Sequence, residues 1–202
     1  MESFYIALIL TLSFCISHSI LTVNYMKNVI PLSSKNYRLF YNIISGISLG
    51  ILTIALTELS KDPAMTTSPF IVADDNLKFF VQLLSFIGII FIVGSLLQTN
   101  PLKFVGFIEE LDTDLNIDLF YRFSRHPMYT GAILLLGPGI FISTNLIWIQ
   151  QSIIFVLYFI FGSLHEELRL RQFLKGYETM YSRGHLFPWR KTHFYTLFGK
   201  TD

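Results

Sequence analysis

The sequence predicts an all-α integral membrane protein with about five transmembrane helices, a hairpin between spans four and five, and an amphipathic cytoplasmic C-terminal tail. Three observations lead there. Charged residues make up 14% of the 202-residue chain and hydrophobic residues 52%, whereas a soluble domain carries about 25% charged residues. Five stretches approach the roughly 20 mostly apolar residues a helix needs to cross the hydrocarbon core. Thirteen of the 15 Lys and Arg residues fall in alternate connections between those stretches.

The first stretch, Phe4 to Val23, holds no charge, and neither does the second, Leu39 to Thr57. The third, Phe79 to Leu97, has Gln82 as its main polar intrusion. The fourth runs from Pro127 to Ser143 and the fifth from Leu146 to Leu164, separated only by Thr144 and Asn145. The runs are continuously apolar, unlike the alternating strands of a membrane barrel. A helix also satisfies its own backbone polar groups in lipid. Gly137-Pro138-Gly139 predicts a kink in the fourth span, packed against protein. Two regions are expected: a three-span membrane region over 1–97, then 98–202 with a loop, the hairpin and the tail.

The positive-inside rule sets orientation. Lys27, Lys35 and Arg38 follow span one; Lys103, Arg122 and Arg125 follow span three; the remaining seven of the thirteen follow span five. These connections are placed in the cytoplasm and the N-terminus outside. Met1-Glu2-Ser3 lacks the positive start of a signal peptide, so the first apolar stretch is read as retained. Cys15 has no internal disulfide partner and reads as a buried, inert thiol. Basic residues are not clustered with exposed aromatics, which excludes nucleic acid as a partner. No metal-ligating set stands out. The acidic loop between spans three and four, with Glu109, Glu110, Asp112, Asp114 and Asp118, reads equally as a binding lid or a solvated connector.

Three polar clusters fall near the cytoplasmic ends of the last two spans. Arg125-His126-Pro127-Met128-Tyr129-Thr130-Gly131 opens span four. Pro127 suits the first helical position, and a helix N-terminus beside an Arg fork suits a ligand carboxylate; simple positive-inside anchoring is the competing reading. His165-Glu166-Glu167 closes span five. Carboxylates are disfavoured at a helix C-terminus, so they need partners, and Arg125 is a candidate across the hairpin. One could bind a ligand amine or act as a base; pairing with Arg169, Arg171 or Lys175 is the bland alternative. In the tail, Phe173, Tyr177 and Tyr181 form an aromatic stripe, either an interfacial belt or a flap that stacks on a cofactor. In the first span, His18 is an intramembrane ionisable group, functional or simply hydrogen-bonded to another helix.

The ordered set Arg125-His126-Pro127-Met128-Tyr129-Thr130-Gly131, Glu166-Glu167, Tyr177-Glu178-Thr179-Met180-Tyr181 and Pro188 resembles the signature of the isoprenylcysteine carboxyl methyltransferase and phospholipid methyltransferase superfamily. The N-terminal half, with Phe14-Cys15-Ile16-Ser17-His18-Ser19-Ile20-Leu21, Lys27 and Tyr37-Arg38-Leu39-Phe40-Tyr41-Asn42, resembles its NnrU-like branch, which includes methanethiol S-methyltransferases. The resemblance implies a multi-pass protein of the bacterial inner membrane that binds S-adenosylmethionine and methylates a small thiol, a lipid or an isoprenylcysteine-type acceptor. It implies His126, Pro127, Tyr129, Gly131, Glu167, Tyr177 and Tyr181 at the cofactor, and Arg125, Glu166, Glu167 and His18 as catalytic candidates. Two other functions remain open: a nicotinamide-dependent membrane reductase of the steroid-reductase type, and a non-catalytic membrane accessory protein.

Overall fold

The computed structural model describes residues 1–108 and 119–173. The long helices are α1 (Glu2–Thr22), α3 (Ser34–Leu59), α4 (Asp75–Gln98) and α9 (Leu146–Phe173). Shorter helices are α2 (Asn24–Val29), α5 (Pro101–Val105), α6 (Leu119–Phe123), α7 (Pro127–Leu136) and α8 (Gly139–Ile142). Among the described residues there is no strand, only an isolated bridge between Thr66 and Asn145.

Local sequence sets the helix starts. Ser33 accepts from the Asn36 N–H to open α3, and Asp74 accepts from Leu77 N at 2.8 Å to open α4. Each satisfies an N–H that the helix cannot. Asp75 in the first turn of α4 also complements the helix dipole. Gly106 ends α5 at φ 100°, where a Cβ would also lie 2.7 Å from Leu39 N; only glycine meets both demands.

Four helices are long and apolar enough to cross a membrane. The expected fourth span is instead the pair α7–α8, a shorter apolar stretch over Pro127–Ile142. Pro138 brings no N–H, so the α ladder cannot pass through it. It gives way to Ile140 N→Gly137 O and Phe141 N→Pro138 O before α8 ends. α9 is correspondingly long, 28 residues or about 42 Å. Its last turns therefore extend past a hydrocarbon core of about 30 Å.

The connections sort onto two faces. On one, Ser3 Oγ donates to Asp62 Oδ2 at 2.6 Å, Asn145 Nδ2 to Ser60 O at 2.8 Å and Thr67 N to Thr144 O at 2.9 Å. On the other, Arg38 Nη1 donates to Lys103 O at 3.0 Å and Asn42 Nδ2 to Phe104 O at 3.2 Å. The first holds the N-terminus and the 144–145 turn; the second joins the basic connections after α1 and α4. This is the alternation that the Lys and Arg distribution anticipates.

α4 packs most extensively on α7, while α9 packs on both α1 and α7. At the α4–α7 crossing, a Cβ on Gly88 would lie 2.5 Å from Gly131 O, and one on Gly131 2.6 Å from Gly88 O. Small residues that admit close backbones are the usual contact between helices in lipid. α1 meets α9 through Thr11 Oγ1 and Gln151 Oε1 at 2.6 Å. Ala7, Leu52, Leu56, Met65 and Ile147 form a core toward the N-terminal face. Ile9, Ile51, Phe79 and Leu97 point outward, each more than 60% exposed, an apolar exterior suited to lipid rather than water.

Candidate functional site

Residue 167 lies 21 positions beyond the start of α9, about 31 Å up the helix at about 1.5 Å per residue. That rise matches the hydrocarbon thickness and carries Glu166 and Glu167 to the face where α7 begins. There they meet Arg125 and His126. Arg125 Nη1 donates to Glu167 Oε2 at 3.2 Å, with both side chains buried. His126 Nε2 is 2.9 Å from Glu167 Oε1; an ionised carboxylate only accepts, so this nitrogen carries the proton. The other ring nitrogen, Nδ1, faces Glu166 Oε2 at 3.7 Å. The anion at the N-terminus of α7 is thus the chain's own Glu167, where the helix dipole favours it.

A closed loop of hydrogen bonds fixes the turn into α7. His126 N donates to Ser124 Oγ at 3.2 Å, Ser124 Oγ bonds Thr130 Oγ1 at 2.7 Å, and Thr130 Oγ1 donates to His126 O at 3.0 Å. All three residues are buried. Pro127, fully buried at the first helical position, locks the backbone at this point.

Glu166 is the more accessible carboxylate, its side chain 32% exposed against 6% for Glu167. The Tyr129 hydroxyl approaches it, and Arg169 lies 3.8 Å away. Burial, and then the Glu166 charge, raise the pKa of Tyr121 above its ordinary value. Lys27 is pushed down by burial and then by the positive charges of Arg169 and Arg38. Lys27, Arg38 and Arg169 are thus within electrostatic reach of one another on this face.

A second polar cluster lies one turn below the end of α1, on the same face. His18 Nε2 is 2.6 Å from the Tyr41 hydroxyl, and His18 Nδ1 is 3.1 Å from Ser45 Oγ. Tyr158 on α9 bonds Ser19 through its hydroxyl at 3.0 Å, and its ring meets the His18 ring edge-on with the centroids 6.2 Å apart.

The family model described as NnrU protein matches residues 6–175. The chain belongs to the NnrU family. No curated protein and no solved structure matches it.

In this NnrU-family chain Arg125, His126, Glu166 and Glu167 converge, with Pro127 and Tyr129 beside them. Gly131 is turned to α4, where its missing side chain serves the crossing with Gly88. His18 sits in the separate cluster, linked to the first by ring contacts. His126 to Tyr129 is 5.7 Å, Tyr129 to Phe159 is 6.0 Å, Phe159 to Tyr158 is 5.9 Å, and Tyr158 then faces His18. Tyr177 and Tyr181 lie outside the described residues. Sequence reasoning overlooked Ser124 and Thr130 as clasp residues and Tyr121, Ser45 and Tyr158 as neighbours of the two clusters. Ser124 carried a signal, a hydroxyl residue shortly before a helix-opening proline. Tyr158 carried none, being one aromatic ring in an apolar span.

Proposed function

We propose that this chain is an S-adenosylmethionine-dependent membrane methyltransferase, working at the face where α7 begins and α9 ends. One observation carries the reading: Arg125 and His126 meet Glu166 and Glu167 across the α7–α9 pair, in the chain order of the superfamily signature. The donor set fits the cofactor. Glu166 offers an accessible carboxylate for an ammonium or ribose hydroxyl, and Tyr121 and Tyr129 bring rings and hydroxyls beside it. Tyr177 and Tyr181 would cover the base. When bound, the cofactor supplies an electrophilic sulfonium methyl group. The chain's own part is positioning. Glu167 holds Arg125 and His126 in one geometry, the Ser124–Thr130 clasp fixes the turn, and the apolar spans keep water from the reacting atoms. Fixing both reactants is worth about 7–11 kcal/mol of barrier. The acceptor, a small thiol, a lipid or an isoprenylcysteine-type group, would arrive from the bilayer.

Because thirteen of the 15 basic residues fall, by sequence, in the two connections and the tail assigned to this side, we read this face as cytoplasmic, in a bacterial inner membrane, with the N-terminus outside. Purified protein, labelled S-adenosylmethionine and a panel of thiols and lipids test the proposal. Saturable binding and label transfer are expected. Heat protection by reduced nicotinamide cofactor instead would replace it with a reductase. Failure to bind either cofactor would leave an accessory protein.

A further inference from the structure

We propose that Lys27, Arg38 and Arg169 form a binding site for the phosphate of an anionic phospholipid, in the leaflet at the face where α9 ends. The lipid is a bound partner and not the methyl acceptor, so the inference stands without the function proposed above.

Three helices finish their apolar run at one depth and follow it with a cation. Arg169 lies 23 positions beyond the start of α9, about 35 Å up the helix. Arg38 lies 21 positions from Leu59, the far end of α3, about 32 Å along it. The 21 residues of α1 rise about 32 Å, and Lys27 follows on α2. Each cation is thus just past a hydrocarbon core of about 30 Å, at the depth of the lipid headgroups. Hydrogen bonds draw the three ends together. The hydroxyl of Tyr37, next to Arg38, donates to Leu21 O at 2.6 Å and joins the start of α3 to the end of α1. Ser19 Oγ and the Tyr158 hydroxyl, 3.0 Å apart, join α1 to α9 two to three turns below Arg169. Among the described residues, the charges acting on Lys27 are both positive, those of Arg169 and Arg38.

Orientation in the membrane needs basic residues on one side, not basic residues from three helices held against one another. Their mutual repulsion is relieved by an anion placed among them. Glu166 reaches Arg169 only at 3.8 Å, which leaves most of the guanidinium fork for two phosphate oxygens. Lys27, exposed on α2, adds a point charge. The surroundings favour a lipid over a free phosphate. Phe161, Leu164 and Leu168 are spaced three and four residues apart, so they share one side of α9. They are 66%, 43% and 61% exposed and lead from beside Arg169 into the hydrocarbon, a bed for an acyl chain. Tyr25 and Val29, also exposed, flank Lys27. A free phosphate would use the charges and leave the apolar stripe bare. A zwitterionic lipid would bring an ammonium that the three cations repel. Basic pockets between transmembrane helices hold anionic headgroups in this way.

Native mass spectrometry of the full-length protein tests the site, in micelles carrying phosphatidylglycerol, phosphatidylcholine or neither plus inorganic phosphate. One phosphatidylglycerol should be retained with an affinity at least about fivefold above that of phosphatidylcholine, the effect of one basic contact near the surface. Inorganic phosphate at the same concentration should not displace it. Lys27→Gln and Arg169→Gln should each weaken phosphatidylglycerol at least about fivefold. Arg169→Lys should keep most of the affinity, and Lys35→Gln, at an exposed position near the start of α3, all of it. Equal affinity for the two lipids, or the same loss in Lys35→Gln, means diffuse attraction to a positive face and overturns the site. Displacement by inorganic phosphate means a soluble anion and overturns the lipid. The comparison of the two lipids on wild type decides the question even where a variant fails to fold.

Discussion

Glu167→Ala tests the centre of the site. The substitution removes both carboxylate oxygens that Arg125 Nη1 and His126 Nε2 use at 3.2 and 2.9 Å. The Arg125 side chain is only 4% exposed, so water reaches the vacated side of its guanidinium poorly. Removing one member of a buried pair costs about 3–5 kcal/mol. At about 2–4 °C per kcal/mol for a chain of this size, the midpoint should drop on the order of 10 °C. Thermal unfolding in detergent micelles measures it. Arg125→Met combined with Glu167→Leu should recover most of the loss, because replacing both members of a buried ion pair with apolar groups removes the desolvation cost of each. The double variant should still fail to bind S-adenosylmethionine. If Glu167→Ala unfolds within about 1 kcal/mol of wild type, or the double variant is as unstable as the two singles added, the pair does not hold the site together as argued.

Other predictions follow from neighbouring residues. Glu166→Gln, at the accessible carboxylate, should leave the midpoint nearly unchanged and weaken S-adenosylmethionine binding at least about tenfold, the equivalent of one charge-assisted hydrogen bond; calorimetry on the purified protein checks it. Ser124→Ala strands the buried His126 N–H and should cost about 1–3 kcal/mol, read by denaturant titration. Gly131→Ala puts a methyl 2.6 Å from Gly88 O and should cost about 1–3 kcal/mol by overpacking the α4–α7 crossing, again read as a lowered midpoint. Tyr121 should ionise above its ordinary value of 10.0, because burial and the Glu166 charge disfavour phenolate. In the unfolded chain it ionises near 10, so its share of stability is intact below that pH and is lost as pH rises through the folded pKa. Tyr121→Phe should remove that segment of the stability–pH curve, and ultraviolet titration of wild type against the variant isolates the phenol.

The spans were legible because length and apolarity are local properties, and a run such as Phe79 to Leu97 has few other places to go. The two faces were legible from Lys and Arg alone, and the ordered Arg-His-Pro and Glu-Glu motifs marked one end of the last spans. What the sequence left open was direction around each helix. In a helix apolar on every side, hydrophobic periodicity does not say which face meets protein and which meets lipid. Adjacent residues differ by about 100° around the axis, so packing alone turned Glu167 inward to Arg125 and His126 and left Glu166 at the rim. Packing likewise gave Gly131 to the α4 crossing and set Tyr41 and Ser45 against His18, and the backbone needs of Pro138 split the fourth span in two. Composition determined that this chain belongs in a bilayer and where its polar ends lie. Only the tertiary contacts decided which polar groups face one another, because that depends on helix rotation, which a uniformly apolar surface does not encode.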